Sequence, residues 1–351
     1  MGFRGTHFTK DKSCRQGPTR ARCGLKLRGD RMSKPKCFTQ GLVILAAFCT
    51  LAGGQAFAQM IVPGTGYRIA YDDFEAEGWD FYHNHPKSSE EQDGQVRHPT
   101  GYSNNGMWGE GLKRGQPDYL KIIDTPPGGL AGSKKCLLMR TKDSGLPGSR
   151  SFKMQQDDLV LNTYARTGGS IDIDKSPSAV VRVYFPPFEQ WDPVTGTTFG
   201  FRGDLSATKE EEVTKRFLFI KRKKKEKKEE LYWPGMFVQF NSKRDPKHSQ
   251  DSAFFIIRCD QNGEDVVGPQ IKQLGWWTLG MSFTPDGRVH YFASPGVDDL
   301  TYRDHVASHY AYGLQCEKFN TMFFNITSRD DGRTWSTPWV IDDMAVYVRR
   351  R

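Results

Sequence analysis

The sequence predicts an all-β fold, a sandwich or a barrel, on three observations. Between residues 119 and 348 it carries nine segments of five to ten residues rich in β-branched and aromatic side chains, separated by Gly, Pro, Asn and Asp. Two turn signatures ending in Gly lie among them, and helical periodicity is nearly absent. Many strands without alternating helices call for a closed or two-layered sheet.

Taken in order, Tyr119 to Ile123 and Cys136 to Thr141 are the first two short strand-like runs. Ala179 to Phe185 is apolar except for Arg182, and Met236 to Asn241 and Ala253 to Cys259 set Gln239 and Arg258 among apolar neighbours. Trp276 to Phe283 leads through Thr284-Pro285-Asp286-Gly287 into Arg288 to Ala293. Proline presets the first turn dihedral there and glycine accepts a positive φ, so a hairpin is expected. Thr321 to Thr327 is followed by Arg329-Asp330-Asp331-Gly332, read as a second hairpin turn, and Trp339 to Val348 is the last strand.

Ahead of the strands stands an export signal. Lys34 and Lys36 form a basic lead, Gly41 to Leu51 is an apolar run, and Ala56-Phe57-Ala58 is a small-x-small cleavage site, which places the mature start at Gln59. The run is shorter than the roughly 20 residues that cross a bilayer. A secreted, periplasmic or cell-envelope protein without a transmembrane anchor after cleavage is expected. Residues 1–31 read as a disordered upstream extension and 32–58 as the signal, with Met32 as an alternative start. Nine Lys/Arg against Asp11 and Asp30, together with Lys34 and Lys36, account for the whole formal charge of +9. The remainder is neutral, so overall charge speaks against nucleic acid as a partner.

Residues 59–351 are expected to form one β-domain with a charged insertion around 207–232. Its centre, Lys221 to Glu230, is an unbroken charged run, read as the solvated tip of a long hairpin or a short exposed helix. Only Cys136, Cys259 and Cys316 follow the signal, an odd number without paired spacing; one bridge with a free thiol and three buried thiols both remain open. Gly101 to Gly115 and Asp143 to Ser151 are Gly-rich loops of the kind that rim binding faces.

Tyr71-Asp72-Asp73-Phe74-Glu75 followed by Trp79, the hairpin from Trp276-Trp277-Thr278-Leu279 to Val289-His290-Tyr291, and Trp339-Val340-Ile341-Asp342-Asp343-Met344-Ala345-Val346-Tyr347 resemble the opening, central and closing strands of the concanavalin A-like lectin/glucanase superfamily. The resemblance implies an antiparallel β-sandwich of jelly-roll type whose first and last strands pair, and says little about activity. The acidic signature of its laminarinase-like hydrolases and the paired motifs of its alginate lyases are missing from the sequence. Ser328-Arg329-Asp330-Asp331-Gly332-Arg333-Thr334-Trp335 is similar to the Asp box of sialidase propellers. It occurs once where a propeller would repeat it at blade spacing, so the sandwich is the reading kept.

Several constellations bear on chemistry. Asp73, Glu75 and Asp343 would converge if the terminal strands pair, offering oxygen ligands to a structural calcium ion. Arg140, Arg182, Gln239, Arg258 and His290 each stand as the polar residue of an apolar strand. Sharing one face, they would present guanidinium forks, an amide and an imidazole to an acidic polysaccharide. Trp108 and Trp191, in loops, are candidates for stacking on sugar rings. For elimination chemistry, Arg182 or Gln239 would neutralise a uronate carboxylate while His290, Tyr291 or Tyr184 takes the proton. His83, His85 and His98, and His305 with His309 at i, i+4 spacing, are candidate metal ligands that lack a Cys or Glu at ligand spacing. Asn325-Ile326-Thr327 is an N-glycosylation sequon. The leading expectation is recognition of a polysaccharide, with a lyase or hydrolase on the same sheet, or a structural envelope protein, as alternatives.

Overall fold

Period-two alternation of apolar residues, which sends every second side chain to one face of a strand, builds the scaffold of this chain. The computed structural model describes residues 60–349 except 218 and 219; the expected upstream extension and export signal, residues 1–58, lie outside the described residues. In chain order the strands are β1 (Tyr67–Asp72), β2 (Phe81–Tyr82), β3 (Tyr102–Ser103), β4 (Trp108–Glu110), β5 (Tyr119–Asp124), β6 (Lys135–Arg140) and β7 (Gln155–Leu161). They continue with β8 (Ile171–Asp172), β9 (Ser178–Phe185), β10 (Gly196–Phe217), β11 (Ile220–Tyr232), β12 (Gly235–Asn241) and β13 (Ser252–Arg258). The last are β14 (Val266–Ile271), β15 (Gly275–Phe283), β16 (Val289–Pro295), β17 (His305–His309), β18 (Lys318–Ser328) and β19 (Trp339–Val348). Short helical turns α1 (Glu90–Asp93) and α2 (Tyr164–Thr167) interrupt them.

These strands form two antiparallel sheets, a β-sandwich of jelly-roll type. The smaller runs β17-β16-β15-β9-β19-β6-β5 with β1 beside β19; the larger runs β14-β13-β12-β10-β18-β7-β4-β3-β2 with β11 beside β10 and β8 beside β18. The first and last strands pair, with Tyr67 opposite Val348 and Asp72 opposite Met344.

Between the sheets lies an aromatic core. Trp339 of β19 is fully buried and packs 4.9 Å from Phe199 and 5.3 Å from Phe185. Withdrawing roughly 200 Å² of such a ring from water is worth about 5 kcal/mol, so this residue is a main tie between the layers. Trp108 and Trp191 are buried here as well, at 1% and 3% exposure. That overturns their expected role in sugar stacking: the Trp108 indole donates to Asp72 and that of Trp191 to the Pro186 carbonyl.

Gly287, at φ +83°, closes the expected Thr284-Pro285-Asp286-Gly287 hairpin, its amide donating to the Thr284 carbonyl at 2.7 Å. The second expected hairpin is a correction. Arg329 to Gly332 leaves β18 in the larger sheet and leads to β19 in the smaller, so it is a crossover between layers. Asp331 accepts from the Arg333 and Thr334 amides and the Thr334 hydroxyl, which closes the turn locally without pairing the flanking strands. Lys221 to Glu230 is likewise neither tip nor helix; it is most of β11, paired along β10 from Ala207↔Glu230 to Arg216↔Lys221. Cys136, Cys259 and Cys316 are three buried free thiols.

Candidate functional site

Alternation in β7, β18, β10, β12 and β13 turns one set of residues into the core and leaves the other on the outer face of the larger sheet. Register aligns the outer set in two rows. One runs Asp158, Asn325, Gly200, Phe237, Ile256; the next runs Val160, Phe323, Arg202, Gly235, Arg258. Glycine is required in the first row. A Cβ on Gly200 would stand 2.8 Å from both Asn325 Oδ1 and a ring carbon of Phe237, so the missing side chain lets Asn325 and Phe237 close over the strand.

One wall rises from the Gly-rich loop before β5. The Gly111 amide donates to the Asp158 carbonyl and the Asp158 amide to the Gly115 carbonyl, both at 3.1 Å, which fastens residues 111–115 against β7. A Cβ on Gly111 would fall 2.5 Å from that of Asp158. The loop thereby holds Lys113 and Arg114 above the sheet, and α1 packs on it through the Glu90 and Glu91 amides. Opposite, Trp233 between β11 and β12 is anchored by its indole to Asp204 at 3.0 Å. Lys113 Nζ lies 3.8 Å over the indole, and Arg114 pairs with Glu91 at 2.8 Å. The enclosed groove has a volume of about 430 Å³ and is floored by Arg202, Asp158 and Phe323.

Arg202 is 6% exposed, and burial pulls its guanidinium down to about 10. It still ranks as a cation at neutral pH. Nε and Nη2 donate to the Trp233 carbonyl at 3.1 and 2.6 Å, and the group lies 5.2 Å from both Phe237 and Phe323. Nη1 has Asn325 Oδ1 at a long 3.5 Å. Asn325 donates to Asp158 Oδ1 at 2.6 Å, and burial raises the Asp158 carboxyl above its ordinary range. Arg258 shares the Phe237 ring at 4.6 Å and is clamped by Asp265 at 2.7 and 2.9 Å. The floor thus offers a fixed cation, an amide and a buried carboxyl side by side, a set that can hold a carboxylate and receive a proton.

The expected polar residues do not share this face, because alternation assigns a side of a strand without assigning the strand to a sheet. Gln239 and Arg258 lie on the outer face of the larger sheet; Arg258 lines its groove region together with Thr197, whose hydroxyl donates to Gln239. Arg140, Arg182 and His290 belong to the smaller sheet. Arg140 donates to the Ser336 carbonyl, and Arg182 is buried between Asp343 at 2.6 Å and Asp299 at 2.7 Å. His290 Nε2 meets Thr284 Oγ1 at 2.8 Å and its Nδ1 meets Ser308 Oγ at 2.6 Å; burial brings the imidazole down to about 4. Tyr291 is fully buried in the core, its hydroxyl on the Arg258 carbonyl. These four cannot act together with Gln239 on one ligand.

Asp73, Glu75 and Asp343 are also held apart. Glu75 Oε1 accepts the Lys134 and Lys135 amides, Asp73 accepts the Glu75 amide, and Asp343 is committed to Arg182. Among the described residues no three His, Cys, Asp or Glu converge as a metal site. The buried acid at the chain start is Asp72, which receives the Phe74 amide, both the Trp79 and Trp108 indoles and the Asn105 amide. His305 and His309 lie on a strand, β17, instead of a helical turn, and His83 stacks on His85 at 5.9 Å.

Sequence reasoning missed Arg202, Asn325 and Asp158. Arg202 follows Phe199-Gly200-Phe201, an alternation that marks it as the outward residue of a strand. Asn325 entered only as a sequon, and its side chain is fully buried in the groove floor. Asp158 sits beside Asp157, whose carboxylate points the other way to meet Lys87 Nζ at 2.5 Å under the sheet.

No protein-family model matches the chain, and no curated protein does. Among solved structures, the binding domain of a paraclostridial mosquitocidal protein matches 71% of this chain at 8% identity and a TM-score of 0.31; the chain spans 45% of that one, under half its length. The carbohydrate recognition domain of Emp46p matches 69% of this chain and 88% of its own, at 11% identity and a TM-score of 0.30. An alginate lyase from Pseudomonas aeruginosa (67% and 87%, 8% identity, TM-score 0.33) and an endo-β-1,4-glucuronan lyase from Trichoderma reesei (66% and 90%, 10% identity, TM-score 0.33) are further neighbours. These are likenesses of architecture.

Proposed function

We propose that the groove on the outer face of the larger sheet recognises an acidic polysaccharide. The observation that carries this reading is Arg202 Nη1: the guanidinium is fixed on its other edge by the Trp233 carbonyl, while on this edge Asn325 Oδ1 stands at 3.5 Å. A uronate carboxylate entering the groove meets a donor already oriented and desolvated, which lowers the ordering cost of binding. Lys113 supplies further positive charge on the rim, where Arg114 and Arg258 are matched by Glu91 and Asp265, and Trp233 and Phe323 give apolar surface for a sugar face. The protein that performs this is an exported one in our reading. The test is retention on a panel of neutral and acidic polysaccharides, with Arg202→Gln as the comparison. Selective retention on uronate polymers, lost in that variant while the melting temperature holds, supports the proposal; equal retention on neutral polymers refutes it.

A second reading, elimination on the same face, is favoured by Asp158. Its carboxyl, raised by burial and hydrogen-bonded to Asn325, is a base of increased strength beside the carboxylate-binding group. Removal of the C5 proton with departure of the C4 oxygen leaves a C4–C5 double bond, visible as new ultraviolet absorbance. Absorbance that grows with an acidic polymer and is abolished in Asp158→Asn would support this chemistry; retention without it leaves binding alone.

A further inference from the structure

On the side of β7 away from the groove, one amine and two carboxyls are buried together. Lys87 Nζ lies 2.5 Å from Asp157 Oδ2 and 2.9 Å from Asp118 Oδ1, and donates to the Gln116 carbonyl at 3.1 Å. Lys87 is 5% exposed and Asp157 is fully buried. The lysine stem can pass because position 115 is glycine: a Cβ there would stand 2.6 Å from Lys87 Cδ. With Nζ 2.5 Å from Oδ2, the carboxyl carbon is at most one C–O bond further off, close to the separation of about 3 to 3.5 Å from which a bond forms.

Asp157 is more than the partner of an ion pair. Its Oδ1 is buried with no hydrogen-bond partner among the described residues, whereas Oδ2 takes Nζ and the Thr141 hydroxyl and has Ser144 Oγ at 3.4 Å. Burial raises this carboxyl to about 8, so it keeps a proton at neutral pH, and the donors on Oδ2 leave Oδ1 to carry it. Against its own burial, Asp118 is held below the ordinary carboxylate range by Lys87 and by the Lys142 and Asp143 amides. Burial likewise opposes charge on Lys87, yet Asp157 and Asp118 keep its amine above the ordinary range, so any reaction here starts with a proton transfer. A protonated carboxyl against an amine, with a second carboxylate on that amine, combines an electrophile, a nucleophile and its base.

We infer that Lys87 and Asp157 condense within the folded chain to an isopeptide bond, with Asp118 as the base. Nζ gives one proton to Asp118 and the free amine adds to Cγ of Asp157, while the charge that develops on Oδ2 meets the Thr141 hydroxyl. A second proton passes from the nitrogen to the Oδ1 hydroxyl, which leaves as water. One N–C bond forms, one C–O bond breaks, and no oxidant or other reactant is consumed. Asp118 keeps the first proton, and Thr141, 2.9 Å from Asp118 Oδ2, links it to the new amide oxygen. The product removes a buried ion pair together with the unpartnered oxygen, and it ties the loop after β2 to an interior strand of the larger sheet. This modification is independent of what the groove binds.

The test is intact-mass spectrometry of the folded full chain, followed by peptide mapping. Wild type should be lighter than its sequence by one water, and its digest should contain a branched peptide joining Lys87 to Asp157. Lys87→Met and Asp157→Ala should keep their full sequence mass. Asp157→Asn keeps the electrophile and should lose ammonia in place of water, a signature that an ion pair alone cannot give. Asp118→Asn, with circular dichroism to show that it has folded, should form the bond at least about a hundredfold more slowly. Folded wild type that stays at full mass through days at neutral pH would overturn the inference. So would complete bonding in Asp118→Asn, or a water loss that survives Lys87→Met, which would place it in a succinimide elsewhere.

Discussion

Arg202 Nη1 on β10 stands 3.5 Å from Asn325 Oδ1 on β18, across a backbone position where the neighbouring strand residue is Gly200. The pair is held from behind: Asn325 is oriented by Asp158 and Arg202 by the Trp233 carbonyl. Replacing Arg202 by Lys keeps a positive charge and loses the fork. Affinity electrophoresis in a uronate polymer should show retention at least tenfold weaker for Arg202→Lys as well as for Arg202→Gln. Wild-type retention in the lysine variant would mean that charge alone suffices.

Gly200→Ala tests the same floor by steric means. Its new methyl would meet Asn325 Oδ1 and Phe237 at 2.8 Å, and both are packed against their own neighbours. A loss of about 1 to 3 kcal/mol in urea unfolding is expected, together with weakened retention, because the amide must swing away from Arg202. Stability unchanged within a few tenths would contradict this close packing.

Asp72 gathers four donors at one buried carboxylate, from Phe74, Trp79, Asn105 and Trp108. Asp72→Ala would leave two indole N–H groups buried without acceptors, and each such group costs about 1 to 3 kcal/mol. Denaturation should therefore show a loss of at least about 3 kcal/mol, with Asp72→Asn intermediate. An alanine variant as stable as the parent would show that solvent reaches those indoles.

The pH dependence is governed in part by His290, brought down to about 4 by burial. An unfolded histidine titrates near 6.5, so between those values the unfolded chain holds more protons than the folded one. Stability falls as pH drops through that window, by up to about 3 kcal/mol from this group, and the loss is complete below pH 4. His290→Gln should flatten the melting temperature across the window relative to wild type. Parallel curves for the two proteins would exclude the imidazole as the cause.

Legibility of the fold followed from side-chain type. Trp339 to Val348 was bounded in the sequence as it is in the structure, and other branched or aromatic runs were placed within a few residues. β7 was missed because Gln155-Gln156-Asp157-Asp158 looks like a loop; two carboxylates on opposite faces are sustained there by Lys87 below and Asn325 above, partners far away in sequence. The site was less legible for a related reason. Gln239 and Arg258 stand out in the sequence as the polar residues of apolar strands, but Arg182 and His290 show the same local pattern on the other sheet, and only long-range pairing separates them. Arg202 was masked by the glycines around it, which are needed for the close packing of the groove floor.

The place of β19 bears on how the molecule comes to be made. It lies in the interior of the smaller sheet, bonded to β9, β6 and β1, which were synthesised long before it. Until residues 339–348 leave the ribosome, those three strands have no central partner and Phe199 has no indole to close over it. Completion of this layer is therefore a late event, delayed by the large loop-closure distance between β1 and β19. A polypeptide that withholds its keystone until the end keeps this layer open for most of its synthesis.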